Sequence, residues 1–440
     1  MSPTLRSVCA ALLTVGVFSA AVAVQNAAKP TSEPPREPIP AVGNGTAKWW
    51  KGNLHTHSLW SDGDDFPEMI ADWYKRNGYH FLALTEHNVL AEGDKWVAGD
   101  GKEPRPAAMR KYENRFGRAW VQRKEQDGKT LVRLKPQAEY RGLLEEPGKF
   151  QMIPAEEITH RYAKAPVHMN AINLRDVVKP IDGGNVAETI EVNVRQVAEQ
   201  SRKAGRPMIA FVNHPNFGWG VRAEDMLLTE SVKFFEVFNG HPGVRNYGDP
   251  THASVERMWD ILLALRLGKH GLPVVYGLAT DDSHRYHQWG VGQVNPGRGW
   301  VMVRAPHLTA EALVAALEAG DFYGSTGVVL DDIRRDGDFL RVSIRSEPWV
   351  TYRTEFIATM KSAKLDSEPR LGDDGKELPV TRVYSDEVGQ VVAHSTDLRP
   401  SYKLTGKELY VRAKVTSSKP HPNPYAAGDM EVAWTQPVRP

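Results

Sequence analysis

The chain has 440 residues, with 55 lysines and arginines against 54 aspartates and glutamates and a formal net charge of +1. That length accommodates one large domain plus something smaller. A charge so close to balance argues against a nucleic-acid binder, whose affinity rests on a broad basic surface that neutralises phosphates.

Residues 1–23 read as a secretory signal peptide: Arg6 precedes an apolar stretch from Val8 to Val22, and Ala21 and Ala23 form an A-x-A-like cleavage site. The expectation is a periplasmic or secreted protein with no stable membrane insertion. The single cysteine, Cys9, falls inside that segment, so the exported chain is expected to have neither disulfides nor thiolate metal ligands. Residues 24–45 are Pro-rich and charged between Lys29 and Pro40, and read as an extended linker.

Asn53-Leu54-His55-Thr56-His57 reads as a strand. Side chains two apart share a strand face, so His55 and His57 aim at one point, and Asp62 in the following turn adds a carboxylate. Four further apolar runs lead into polar clusters. Residues 79–85 lead into Glu86-His87-Asn88, and 150–154 into Glu156-Glu157-Ile158-Thr159. Residues 208–212 lead into Asn213-His214-Pro215, and 274–279 into Thr280-Asp281-Asp282-Ser283-His284. Residues 167–174 form another short strand, with His168 near its start.

Helical patterns cover residues 186–204 and 255–267. Buried strands alternating with helices predict a parallel sheet or barrel, whose strand ends converge on one face. Histidine, aspartate and glutamate at successive strand ends therefore predict a polynuclear metal site. Glu156 competes with Glu157 for that role and Asp281 with Asp282. His80, inside an apolar run, reads as a core residue, and His241 after a later strand is a further candidate to face substrate.

Residues 91–149 separate two of these motifs by more than a barrel unit requires, and read as a cap over the site. They are basic, with Arg105, Arg110, Lys111, Arg115, Arg118, Arg123 and Lys124. That pattern reads first as a solvated helix face, with attraction of an anionic substrate as the functional alternative. From about residue 331 to 440 the pattern turns to strand-like alternation, as in residues 339–344 and 408–415, and predicts a small β-rich domain.

The ordered series H-x-H, S-D-G, T-E-H-N, E-E-I-T, H-M-N-A, N-H-P and D-x-H resembles the PHP (polymerase and histidinol phosphatase) superfamily of metal-dependent hydrolases. E-E-I-T and H-M-N-A-I-N-L look most like its carbaryl-hydrolase-like branch. The resemblance implies an α/β fold over residues 46–330, a distorted seven-stranded (β/α)7 barrel related to the TIM barrel. It also implies two to three divalent metal ions, zinc, manganese or iron. Carried over, the first metal is held by His55, His57, Glu157 and Asp282, and the second by the bridging Glu157 with His168 and His214. The third takes Asp62, His87 and His284. Glu86 stands where the family usually has Asp, and is expected to orient the neighbouring imidazole.

A cation pair sharing Glu157 would lower the pKa of bound water from 15.7 towards about 7, and the bridging hydroxide would attack phosphorus or a carbonyl carbon. Glu157 and Asp282 are therefore the residues expected to carry catalysis. Three cations suit a dianionic ester, so the expectation is an exported phosphoesterase acting on a small organic phosphate. Carboxyl-ester or carbamate hydrolysis at a two-metal site is the alternative.

Overall fold

The structure is a computed structural model that describes residues 47–440; the expected signal peptide, Cys9 and the linker lie outside them. Among the described residues no helix is long and apolar enough to cross a membrane. The fold is mixed α/β, built on one large sheet that contains parallel strands.

Strand β1 (Lys48–Asn53) leads through helix α1 (Pro67–Arg76) to β2 (Phe81–His87), and the two strands are parallel. An insertion follows: β3 (Lys95–Ala98), α2 (Arg105–Phe116), β4 (Arg123–Gln126), β5 (Lys129–Leu134) and α3 (Gln137–Leu144). Its strands form a separate antiparallel sheet, and Tyr112 of α2 stacks on Phe66 with ring centroids 4.1 Å apart. Lys111 also reaches Asp65 at 2.6 Å, so apolar and ionic contacts together dock the insertion on the loop after β1.

The chain returns to the sheet as β6 (Gln151–Tyr162), parallel to β2 with His87 opposite Glu157. It then reverses through Ala163 and Lys164 into β7 (Ala165–Ile172), antiparallel to β6. The strand–helix alternation expected from the sequence breaks here for a simple reason. Two residues can close a hairpin but cannot carry the crossover that a parallel pair requires.

Helix α4 (Val186–Ala204) occupies the predicted span. The Asn185 side chain accepts the Glu188 N–H at its start, and Gly205 ends it at φ +63°. After β8 (Ile209–Val212), antiparallel to β7, come α5 (Ala223–Leu227), β9 (Phe234–Asn239), α6 (Val255–Leu265) and β10 (Tyr276–Thr280). β8, β9 and β10 are mutually parallel. The predicted helix 255–267 is longer than α6 because a π-helical turn over Arg266–His270 takes over its last residues, ending at Gly271 with φ +64°.

Beyond β10, Ser283 bridges Thr56 in parallel fashion, and the His57 N–H donates to the Ser283 carbonyl at 2.9 Å. The Asp282 N–H donates to the His55 carbonyl at 2.9 Å. The loop after β10 is thus hydrogen-bonded to the loop after β1, although the two strands lie far apart in sheet order.

On the other side of β1 lie β11 (Trp300–Ala305) and, after α7 (Ala310–Glu318), β12 (Phe322–Ser325). The remaining strands are β13 (Leu330–Asp336), β14 (Phe339–Ile344), β15 (Tyr352–Met360), β16 (Ser367–Glu368) and β17 (Val383–Tyr384). They are followed by β18 (Gln390–Ser395), β19 (Ser401–Lys403), β20 (Glu408–Pro420) and β21 (Met430–Thr435). β21 pairs with β12, so the large sheet runs on through β21, β20, β15 and β18. β13, β14 and β19 form a smaller sheet, and an apolar cluster including Tyr323, Leu340 and Val415 lies between the two.

Candidate metal centre

Six segments deliver the predicted residues to one place. His55, His57 and Asp62 come from the loop after β1, and His87 is the last residue of β2. Glu157 and His168 sit within β6 and β7 rather than at strand ends, close together because Thr159 is registered opposite His168. His214 follows β8, and Asp282 and His284 follow β10.

The side chains fall into overlapping groups. Ligand atoms of His55, Glu157 and His214 lie within 4.8 Å of one another, as do those of His55, His57 and Asp282. A third group joins Asp62, His87 and His284 and also includes His57, which therefore lies between sites rather than in the first alone. Glu157 is the hinge. Its Oε1 is 2.9 Å from His168 Nδ1 and 3.4 Å from His214 Nε2. Its Oε2 is 3.4 Å from His57 Nε2, 3.7 Å from His55 Nε2 and 2.8 Å from His87 Nδ1. One carboxylate thus faces two sets of imidazoles with different oxygens.

These contacts are close in distance yet incomplete as hydrogen bonds. His55 Nε2, His57 Nε2, His168 Nδ1 and Glu157 Oε2 are buried with no hydrogen-bond partner. Leaving such atoms unpaired costs on the order of 1–3 kcal/mol each. Imidazole nitrogens and carboxylate oxygens without a thiolate fit divalent zinc, manganese or iron, so this donor set suits the expected cations. Asp282 and His214 also hold φ of +49° and +23°, backbone settings that non-glycine residues adopt where the surroundings impose them.

The electrostatics divide the imidazoles. Burial, reinforced by the charge of His284, pushes His57 down to about 3, and burial likewise lowers His168. Both are neutral at pH 7, the form that can ligate. Burial also opposes charge on His55, but Asp282, Glu236 and Glu157 overcome it and raise the group well above its ordinary value. His87 rises to about 10 against its own burial, through Asp62 and Glu157. Glu157 and Asp282 are held below the usual carboxylate range: the surrounding histidines outweigh the cost of burial.

The residue that sequence reasoning missed is Glu236, fully buried in β9. Its Oε1 accepts from His55 Nδ1 at 2.6 Å and Thr280 Oγ1 at 2.7 Å, and its Oε2 from the His214 N–H at 2.6 Å and Asn239 Nδ2 at 2.8 Å. With the Nδ1 proton directed at Glu236, Nε2 is the His55 atom left facing the cluster. A lone acid in the apolar run Phe234-Phe235-Glu236-Val237-Phe238 was the available signal. Asn213 and Asn239 add support, donating to Glu157 Oε1 at 2.9 Å and Asp282 Oδ2 at 3.2 Å.

Glu86 differs from its expected role. It holds no imidazole; it accepts from the Ser58 N–H at 3.1 Å, from Ser58 Oγ, and from Ser61 Oγ at 2.5 Å. Strand alternation turns it away from the face His87 uses. It reaches His57 through Ser61, whose Oγ is 3.3 Å from His57 Nδ1.

Alternation also separates the competing acids. Glu156 accepts from the Val178 N–H at 2.6 Å, and Asp281 from Tyr74 Oη and the N–H groups of Gly297, Arg298 and Gly299. His80 accepts the Lys51 N–H at 3.0 Å, away from the cluster. His241 lies at its edge, 5.8 Å from the His284 ring, and burial lowers it to about 4.

No protein-family model and no curated protein matches the chain. Solved structures are similar to it, among them these two. One is a two-domain protein from Bacteroides vulgatus containing a predicted PHP-like metal-dependent phosphoesterase. It is 14% identical, covers 92% of this chain and 100% of its own, and has a TM-score of 0.36. The other, described as a metal-dependent phosphoesterase from Bifidobacterium adolescentis, is 13% identical, covers 56% of this chain and 89% of its own, and has a TM-score of 0.27. Likenesses this weak decide neither fold nor activity.

Proposed function

We propose that this protein is a metal-dependent hydrolase of the PHP type, and that its substrates are small organic phosphate esters. The observation that carries the reading is the buried cluster itself, in which ring nitrogens and a carboxylate oxygen converge without partners. A distorted barrel of β1, β2 and β6 to β10 is part of the proposal, supported by the hydrogen bonds between the loops after β1 and β10.

His55, His57 and Asp282 would hold one divalent cation, His168 and His214 a second, with Glu157 shared, and Asp62, His87 and His284 a third. Bound cations of this kind supply an acidified water and positive charge for the phosphoryl oxygens. The chain's own part is to present His57 and His168 as neutral imidazoles, to keep Glu157 and Asp282 ionised, and to fix ring orientation through Glu236. Export, through the signal peptide expected in residues 1–23, belongs to the same proposal.

Asp62 favours a second reading at one point: its side chain is 57% exposed while Glu157 and Asp282 are buried. With only the two enclosed positions filled, a neutral carboxyl ester or carbamate becomes the better substrate.

Metal-supplemented turnover of p-nitrophenyl phosphate beside 1-naphthyl acetate tests the choice. Phosphate release that is lost in His55→Ala supports the phosphoesterase. Cleavage of the acetate alone moves the activity to carboxyl-ester or carbamate hydrolysis.

A further inference from the structure

Asp62, the exposed member of the cluster, lines a cleft of about 510 Å³ together with residues of the insertion after β2. Val97, Lys102 and Arg105 come from that insertion, and Arg285 from the segment that carries His284.

Arg105 stands apart from the other arginines of the insertion. Arg110 pairs with Glu103, Arg115 with Asp72, Arg133 with Glu139, and Arg118 and Arg123 with Glu113. Among the described residues Arg105 has no ion pair, and its Nη1 is shielded from solvent with no hydrogen-bond partner. The carboxylates whose charge reaches it, Asp64 and Asp65, are already engaged. Asp64 accepts the Tyr286 N–H at 2.9 Å and lies 3.8 Å from Arg285. Asp65 accepts from Lys111 at 2.6 Å and from the Phe66 N–H at 2.8 Å. Asp100, the remaining acid of the cleft, is exposed.

A shielded guanidinium nitrogen without an acceptor is costly, and its planar fork matches a carboxylate or phosphate better than any other common group. We propose that Arg105 binds a second anionic group of the substrate, so that the substrate is a phosphate ester that also carries a carboxylate or another phosphate. The inference rests on the phosphoesterase reading, with the scissile phosphate at the metal cluster and the second anion at Arg105.

The test compares 3-phosphoglycerate with glycerol 3-phosphate, which lacks the carboxylate, under metal-supplemented turnover. The wild-type protein prefers 3-phosphoglycerate through a lower KM. Arg105→Ala raises that KM by about tenfold or more, the size expected for a lost charged hydrogen bond, and erases the preference; Arg105→Lys falls between. No preference in the wild type, or a preference that survives Arg105→Ala, overturns the proposal.

Calorimetric binding of 3-phosphoglycerate to EDTA-treated protein supplies a readout that needs no turnover. Binding that weakens in Arg105→Ala, without hydrolysis of either ester, keeps the anion site and removes the phosphoesterase reading. Binding that does not depend on Arg105 overturns the site whatever the turnover shows.

Discussion

Two buried charged networks in this molecule have opposite designs. Between α6 and β20, Asp260 receives Arg412 at both oxygens, Nε at 2.8 Å and Nη2 at 2.7 Å, with Tyr410 Oη adding a third bond at 2.8 Å. Both acceptor atoms are filled by donors of this chain, while the remaining guanidinium nitrogen, Nη1, is buried without a hydrogen-bond partner 3.9 Å from Glu256. In the histidine–carboxylate cluster, ring nitrogens and carboxylate oxygens instead face one another without completing hydrogen bonds, and four buried atoms stay unpaired. A network whose carboxylate is filled by its own cation and hydroxyl ties one part of the fold to another. A network that leaves its inner atoms open, while Glu236 satisfies the outer ones, is arranged for something the chain does not supply.

The contrast breaks most sharply at its two centres. Asp282→Asn should remove metal from the protein and lower turnover by about a hundredfold or more, since even the residues behind metal ligands cost 10–100-fold when lost. Metal content and kcat measure this, with a thermal midpoint close to wild type as the control. Arg412→Ala should do the reverse. It leaves Asp260 buried and unpaired, which costs about 3–5 kcal/mol of stability in urea unfolding, while the metal bound per folded molecule stays constant. Joint replacement of Arg412 by Met and Asp260 by Leu should recover most of that loss, because the penalty belongs to the uncompensated charge.

A smaller effect lies at the boundary between the designs. Glu236→Gln keeps the shape but weakens the acceptor that fixes His55, and metal affinity should fall about 10–100-fold by competition with a chelator. An unchanged affinity would make Glu236 a purely structural residue, like Asp260.

The smallest effect is at Glu68 of α1, which burial pushes up to about 7 although Tyr112 Oη donates to it at 2.5 Å. Its folded value exceeds the unfolded one. The protonated form therefore contributes stability that is complete below about pH 4.5 and is lost as pH rises through about 7, at most about 3 kcal/mol. Relative to wild type, Glu68→Gln should gain stability between pH 4.5 and 7.5. Parallel urea curves for the two proteins across that range would remove the assignment.

Much of the site was legible because its signals are local. His55 and His57 share a face by two-residue spacing, and apolar runs ending in acids and histidines mark the segments that bring them together. The bounds of α4 were legible for the same reason, since Asn185 and Gly205 end it chemically. The β6–β7 hairpin was hidden because an apolar strand reads alike in a parallel or antiparallel pair. Glu236 was hidden because the partners that give it a role, His55, His214 and Thr280, lie far from it in the sequence.

The sequence by itself determined the donor set: which residues could ligate, that no cysteine is among the described ones, and roughly which elements carry them. The tertiary structure decided what each donor meets. Glu157 turns inward while Glu156 turns to Val178, Glu86 clasps serines instead of a ring, and Arg105 is left without a carboxylate. It also decided that β21 joins β12 and so extends the large sheet into the C-terminal region. Periodicity fixes which side chains share a face within a few residues. Contacts such as His55 with Glu236, 181 residues apart, and Asp260 with Arg412, 152 apart, exist only once packing has brought distant segments together.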